Sequence, residues 1–269
     1  MIIDFHTHVF PDKMAKKTIE LLSVKGGIPA FSDGTVAGLL ETMEKAGVEL
    51  SVTLPVLTNP QSFESVNRFA AELNRAYSQG EQRLVSFGAI HPLCQDIDKK
   101  MKALKDMGFL GVKLHPDYQE CFITHEGYIR ILQCAKEYDL IALTHAGYDV
   151  GYPNAPIRCT PALAREVIDK VKHSKFVLAH CGSTKLSDDV LTLLCGQDVY
   201  LDTAYVLQYM GRERFSEIVR RHGEDRILFG SDSPWSSMEK DVNTLRSFGL
   251  GKSTENKIFS ENAKALLGI

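Results

Sequence analysis

The chain has no long apolar run. Nothing in its 269 residues approaches the roughly 18 consecutive apolar residues that mark a membrane span. A signal peptide's charged start and apolar core are missing too, so a cytoplasmic protein is expected. Charge of one sign is scarce: Lys and Arg number 31 against 34 Asp and Glu, the formal net charge is −3, and there is no basic run. That removes the electrostatic case for nucleic acid or an anionic membrane as partner. The six cysteines (Cys94, Cys121, Cys134, Cys159, Cys181 and Cys195) include no C-x-x-C pair. Their spacing argues against a zinc ribbon or disulfide scaffold and for reduced thiols used in packing. No G-x-G-x-x-G follows the first apolar stretch, and linkers, repeats and low-complexity segments are lacking. One domain over residues 1–269 is expected.

What is present is alternation. Short apolar runs at 2–5, 50–54, 84–90, 111–114, 141–144, 176–179, 199–202 and 227–230 read as strands. Between them, 35–46, 65–78, 97–107, 126–138, 161–172, 188–194, 212–221 and 240–248 carry apolar residues at helical spacing. A closing helix is expected over 253–267, capped by Ser253. Thr160-Pro161 is an N-cap followed by proline at the first helical position, and Gly47 and Gly108 follow helix ends. Repeated strand–helix units imply a parallel sheet with helices outside it, and about eight units in about 250 residues fit an α/β fold of the (β/α)₈ TIM-barrel type. An open doubly wound sheet is the alternative, and the missing phosphate loop disfavours it.

In a barrel the chemistry lies at the C-terminal ends of the strands. The first strand ends in Asp4-Phe5-His6-Thr7-His8. Residues two apart on a strand face the same way, so His6 and His8 project together, as two ligands of one metal ion must. Later strands end in His91, in Lys113-Leu114-His115, in His145, in His180, in Asp202 and in Ser231-Asp232-Ser233. Six of the nine histidines thus sit at strand ends, a concentration that points to a metal-centred active site.

Five motifs carry a family resemblance: D-F-H-T-H, G-V-K-L-H-P, T-H-A-G, A-H-C-G and G-S-D-S-P-W. In order and spacing they resemble the amidohydrolase superfamily, and more narrowly its amidohydrolase 2 branch, which includes the aminocarboxymuconate semialdehyde decarboxylase-like enzymes. The resemblance covers essentially the whole chain and implies a metal-dependent barrel. It implies His6, His8, His145 and Asp232 as ligands of one divalent ion, with His180 as a catalytic acid/base and Asp232 as a proton carrier. Zinc is the first expectation; manganese and iron also suit three histidines and a carboxylate. A second metal is the less favoured arrangement.

Lys113 has three readings: a partner for a substrate carboxylate, a carbamylated metal ligand, or a lysine whose head reaches the rim. The first and third are preferred. His115 is either a substrate contact or the start of a loop. The implied activity is hydrolysis of an amide, lactone or ester bond of a small molecule by metal-activated water. The alternative is non-oxidative decarboxylation of an aromatic or unsaturated acid. Phosphoester cleavage is disfavoured because the fourth strand carries Lys113 and His115 where that group has a glutamate. A non-catalytic barrel is disfavoured because every matched ligand position is kept. Arg158, in the 146–160 loop, could clamp a substrate carboxylate or be a solvated loop residue. The 10–33 segment, with its Lys25-Gly26-Gly27 turn, is a candidate lid. Trp235 is expected to pack in the core or wall the pocket, with core packing preferred. Cys181 is read as packing. The partner expected is a small-molecule substrate, and a homodimer is compatible with the chain.

Overall fold

The computed structural model describes residues 1–77 and 83–269. Its strands are β1 (Ile3–Thr7), β2 (Leu50–Thr53), β3 (Leu84–Ser86), β4 (Gly88–Ala89), β5 (Gly111–Leu114), β6 (Ile141–Thr144), β7 (Phe176–Leu178), β8 (Tyr200–Asp202) and β9 (Ile227–Leu228). They pair in chain order, β1-β2-β3 and β4 through β9, and every pairing is parallel. Two seams complete the ring. β3 and β4 flank Phe87, whose N–H still donates to Thr53 O at 3.0 Å, so together they fill one strand position. At the other seam Phe5 N–H donates to Phe229 O at 2.8 Å, Asp232 N–H to His6 O at 2.8 Å and His8 N–H to Ser233 O at 2.7 Å. The result is a (β/α)₈ barrel built by the described residues, as the alternation predicts.

Strand parity sorts the core into two layers. Ile3, Phe5, Val52, Phe87, Leu143, Val177 and Leu228 form the inner cluster, joined by Ala263, Leu266 and Leu267 of the last helix. Ala142, Phe176 and Leu178 face the other way, into the cluster that includes Leu39, Met43 and Leu132 of the helices. Lys113 pairs in register with Leu143 and therefore points inward.

The helix signals behave as their chemistry dictates. The Thr35 hydroxyl accepts from Gly38 N–H at the start of the helix Val36–Ala46, and Thr160 accepts from Leu163 N–H ahead of Pro161. Gly47 ends its helix in the left-handed conformation, at φ 69°. Ser78, the last residue of one expected helix, lies outside the described residues; that helix runs Phe63–Tyr77.

Three expectations need correction. The candidate lid at 10–33 contains a 15-residue helix, Asp12–Gly26, ended by Gly27 at φ 63°. Only Ala15 of that helix is buried, although Ala15, Ile19 and Leu22 recur at helical spacing. Residues 188–194 are not one α-helix but an α turn, Ser187–Asp189, followed by a π turn, Val190–Leu194. The closing segment starts at Lys252 with Gly251 as cap, so Ser253 lies inside it, and a π turn at Lys257–Glu261 interrupts it. Among the described residues no helix is long and apolar enough to cross a membrane.

Candidate metal centre

Proton bookkeeping around β1 defines one end of the site. His6 Nδ1 lies 2.8 Å from Asp202 Oδ2. A carboxylate only accepts, so Nδ1 carries the proton and the Nε2 lone pair faces the cavity, where it accepts from Lys113 Nζ at 3.0 Å. His8 Nδ1 likewise donates to Leu54 O at 2.8 Å, leaving its Nε2 bare. These two lone pairs converge on Asp232 Oδ1, at 3.4 Å from His6 and 3.1 Å from His8. Three acceptors facing one another repel unless positive charge offsets them; the Lys113 ammonium supplies some at His6 Nε2, and a metal ion among all three would supply the rest. Their ligand atoms lie within 4.8 Å of one another, and imidazole nitrogen with carboxylate oxygen is a donor set that divalent ions take. The residues present fit a metal. Burial and the nearby Lys113 cation hold His6 well below the usual histidine range, hence neutral and ready to ligate.

The chain braces this end from behind. Asp4 Oδ1 accepts from His6 N–H and Ser231 N–H, both at 3.0 Å, tying the tops of β1 and β9 together. Burial pushes the Asp4 carboxyl up to about 7. Asp202 does more than hold His6: its Oδ1 accepts from His180 N–H at 2.9 Å and Ala204 N–H at 3.0 Å. Burial raises Asp202 to about 7 as well. Its signal in the sequence is a carboxylate ending the seventh strand, which the ligand search passed over.

A chain of imidazoles leads away from Asp202. His180 sits in a 3₁₀ turn after β7 with φ 61°. Its Nδ1 donates to Ala204 O at 2.9 Å, so its Nε2 accepts from His145 Nδ1 at 2.9 Å. His145 Nε2 is then a bare lone pair, buried and without a hydrogen-bond partner. Asp117 Oδ2 stands 3.7 Å from it and Asp149 Oδ2 3.9 Å. The His115 ring stacks on His145 with centroids 4.4 Å apart, and its Nε2 lies 3.5 Å from Asp149 Oδ2. His145 thus groups with His115 and Asp149, and His6, His8 and Asp232 form a separate trio. Burial keeps His115, His145 and His180 below the usual histidine range.

Lys113 Nζ donates to His6 Nε2 at 3.0 Å, inside the barrel mouth rather than at a solvent-reaching rim. Burial pulls its ammonium down to about 8, against the pull of Asp202, Asp232 and Asp149. The five histidines, Lys113, Asp149 and Asp232 open onto a cavity of about 710 Å³, walled by Tyr118, Tyr148, Tyr205 and Trp235; Asp4, Asp117 and Asp202 stand behind them. Trp235 is a half-buried wall and not a core residue, which corrects the preferred reading. Arg158 is not among the lining residues; its Nη1 stands 3.5 Å from Asp117 Oδ1, so it braces a loop carboxylate. Five of the six strand-end histidines line the cavity. His91 turns away, its Nδ1 accepting from Leu93 N–H. Cys181 is buried in the core and its thiol is pushed far up by burial, consistent with packing.

Sequence comparison decides the family. A family model described as amidohydrolase, that of the amidohydrolase 2 family, matches residues 3–269. The chain belongs to that family. A search of curated proteins finds no match. Among solved structures, the amidohydrolase fold described above is similar to 5-carboxyvanillate decarboxylase from Sphingomonas paucimobilis, with TM-score 0.72, 14% identity, and coverage of 100% of this chain and 99% of that one. A dihydroxybenzoic acid decarboxylase from a Polaromonas species, with bound manganese and the inhibitor 2-nitroresorcinol, gives TM-score 0.69 and 13% identity over 99% and 96%. A probable 2-pyrone-4,6-dicarboxylic acid hydrolase from Acinetobacter baumannii, with citric acid bound, gives 0.66 and 16% over 100% and 99%. At these identities the likeness is one of fold.

Proposed function

We propose that this amidohydrolase binds one divalent ion at His6, His8 and Asp232 and cleaves a bond in a small molecule; His145, which packs with His115 and Asp149, is proposed as the fourth ligand on the strength of its buried, unpartnered Nε2. The observation that carries the reading is the convergence of two imidazole Nε2 atoms and a carboxylate oxygen within 4.8 Å of one another. Hydrolysis of an amide, lactone or ester is one reaction this site supports, and the probable hydrolase among the structural neighbours favours it. Zinc is the expected ion, and the manganese in the Polaromonas enzyme supports manganese as its competitor. A divalent ion here supplies Lewis acidity and acidifies water toward neutrality.

The chain's own groups do the rest. Asp232 is an anionic proton acceptor beside the point of attack. His180 has Nδ1 locked on Ala204 O, so any proton it takes or gives passes through Nε2, toward His145 Nδ1. Asp202 holds His6 in the tautomer that ligates. Lys113 places positive charge where an oxyanion or a substrate carboxylate would develop or bind.

Decarboxylation of an aromatic or unsaturated acid is the second reading. It is favoured by the decarboxylases among the structural neighbours and by the Lys113 ammonium, a partner for the departing carboxylate. Metal analysis after purification without chelators should find about one divalent ion per chain; finding none sinks the proposal. Screening the loaded protein against lactones, amides and aromatic acids then separates hydrolysis from release of carbon dioxide.

A further inference from the structure

The cavity runs well past the metal-binding end, and the chemistry above uses none of that length. At about 710 Å³ it sits in the range that encloses drug-sized ligands, larger than a single-ring acid requires. Two helices carry the extra room. On Asp12–Gly26 the lining residues Met14, Thr18, Leu22 and Gly26 recur every four positions. One helix face therefore follows the cavity for about 18 Å at 1.5 Å per residue. On Phe63–Tyr77 the lining residues Ser65, Phe69 and Glu72 also share a face, about 10 Å long.

The wall between is apolar. Phe10, Leu22, Ile28, Val56, Val66 and Phe69 all line it, and each is only half-buried. Met14 is 53% exposed. Apolar side chains left this open along a single continuous groove mark a binding surface more often than an accident of packing. Beyond the histidine and aspartate cluster with its Lys113, the charged lining residues are Lys13, Arg68 and Glu72.

We infer that the groove binds the apolar arm of an elongated substrate, whose carbonyl or carboxylate head lies at His6, His8 and Asp232. The head position rests on the metal-centre proposal, and the arm does not. Calorimetry with straight-chain carboxylic acids of four to ten carbons separates them, run on metal-loaded and on chelator-treated protein. Each added methylene should tighten binding about two- to fourfold in both forms. Removing the metal should weaken every acid by one common factor. Leu22→Glu, on the half-exposed helix face, should flatten the chain-length slope and leave the four-carbon acid unchanged; Phe69→Glu gives a second test from the opposite wall. A flat slope in the unmodified protein, or no binding at any length, overturns the groove. A slope that survives in both variants also overturns it, since the arm then lies elsewhere. A rising slope that is indifferent to the metal keeps the groove and removes the metal from the head.

Discussion

His6 Nδ1 and Asp202 Oδ2 lie 2.8 Å apart across the barrel mouth, and this contact decides which nitrogen of His6 faces the cavity. The same carboxylate receives the His180 and Ala204 N–H groups through its other oxygen. Asp202→Asn should therefore lower metal affinity about 10- to 100-fold, the usual cost of losing a group that orients a ligand. An asparagine can face His6 with its oxygen only by turning its amide protons onto two backbone N–H donors. Metal titration of the variant checks this; unchanged affinity would mean Asp202 does not orient His6.

Metal removal should lower the melting temperature of the unmodified protein by several degrees, because an ion held only by the folded state stabilises it by roughly 3–4 kcal/mol at 100 to 1,000 times its Kd. Asp232→Asn and His8→Ala should erase the difference between loaded and chelated protein. Paired melting curves read this directly.

Asp241 offers a pH test at a residue outside the proposed ligand set, though it senses the Asp232 charge. It is buried, accepts the Ser236 hydroxyl at 2.6 Å, and burial raises its carboxyl from 3.8 to about 7. A folded-state pKa raised above the unfolded one gives stability that is full below about 3.8 and is lost as pH climbs through about 7. Asp241→Asn removes that loss, so its stability relative to the unmodified protein should improve between pH 4 and pH 7 by roughly 2–4 kcal/mol and then level off. Urea unfolding of both proteins across that range measures it; a pH-independent difference would contradict the assignment.

Gly147 follows His145 by two residues and takes φ 88°. A Cβ there would stand 2.2 Å from Thr184 N, where the two segments bridge. Gly147→Ala should cost more than about 1 kcal/mol and reduce turnover together with stability, because the strand end that positions His145 must shift. Melting curves and a metal titration separate global loss from local misplacement.

Trp235 is the only tryptophan and walls the cavity. Metal or ligand binding should change its fluorescence, and Trp235→Phe should abolish the signal while leaving calorimetric binding of the metal within about twofold, a near-neutral change for a side chain outside the ligand set.

Much of this was legible in the chain. Strand periodicity is a local property, so β5 and β6 fall where the apolar runs end, and Thr35, Thr160 and Gly47 act as their side chains require. His6 and His8 share a face by strand parity, and Asp232 joins them as a candidate ligand through the family resemblance. What stayed hidden has one common cause. The Asp12–Gly26 helix turns Leu22 toward a cavity instead of a core, which its helical spacing does not reveal. Asp202 looked like any strand-end acid because its partners, His6 and His180, are far off in sequence.

The sequence by itself determined the barrel, the rim of histidines and the family, because alternation, strand parity and motif order are written along the chain. Only the tertiary structure decided that His145 stands with His115 and Asp149, that Arg158 serves Asp117 and not the cavity, and that each imidazole turns one chosen nitrogen inward. Those choices depend on hydrogen bonds between residues dozens to hundreds of positions apart, and local sequence carries no record of which distant carbonyl or carboxylate a ring will meet.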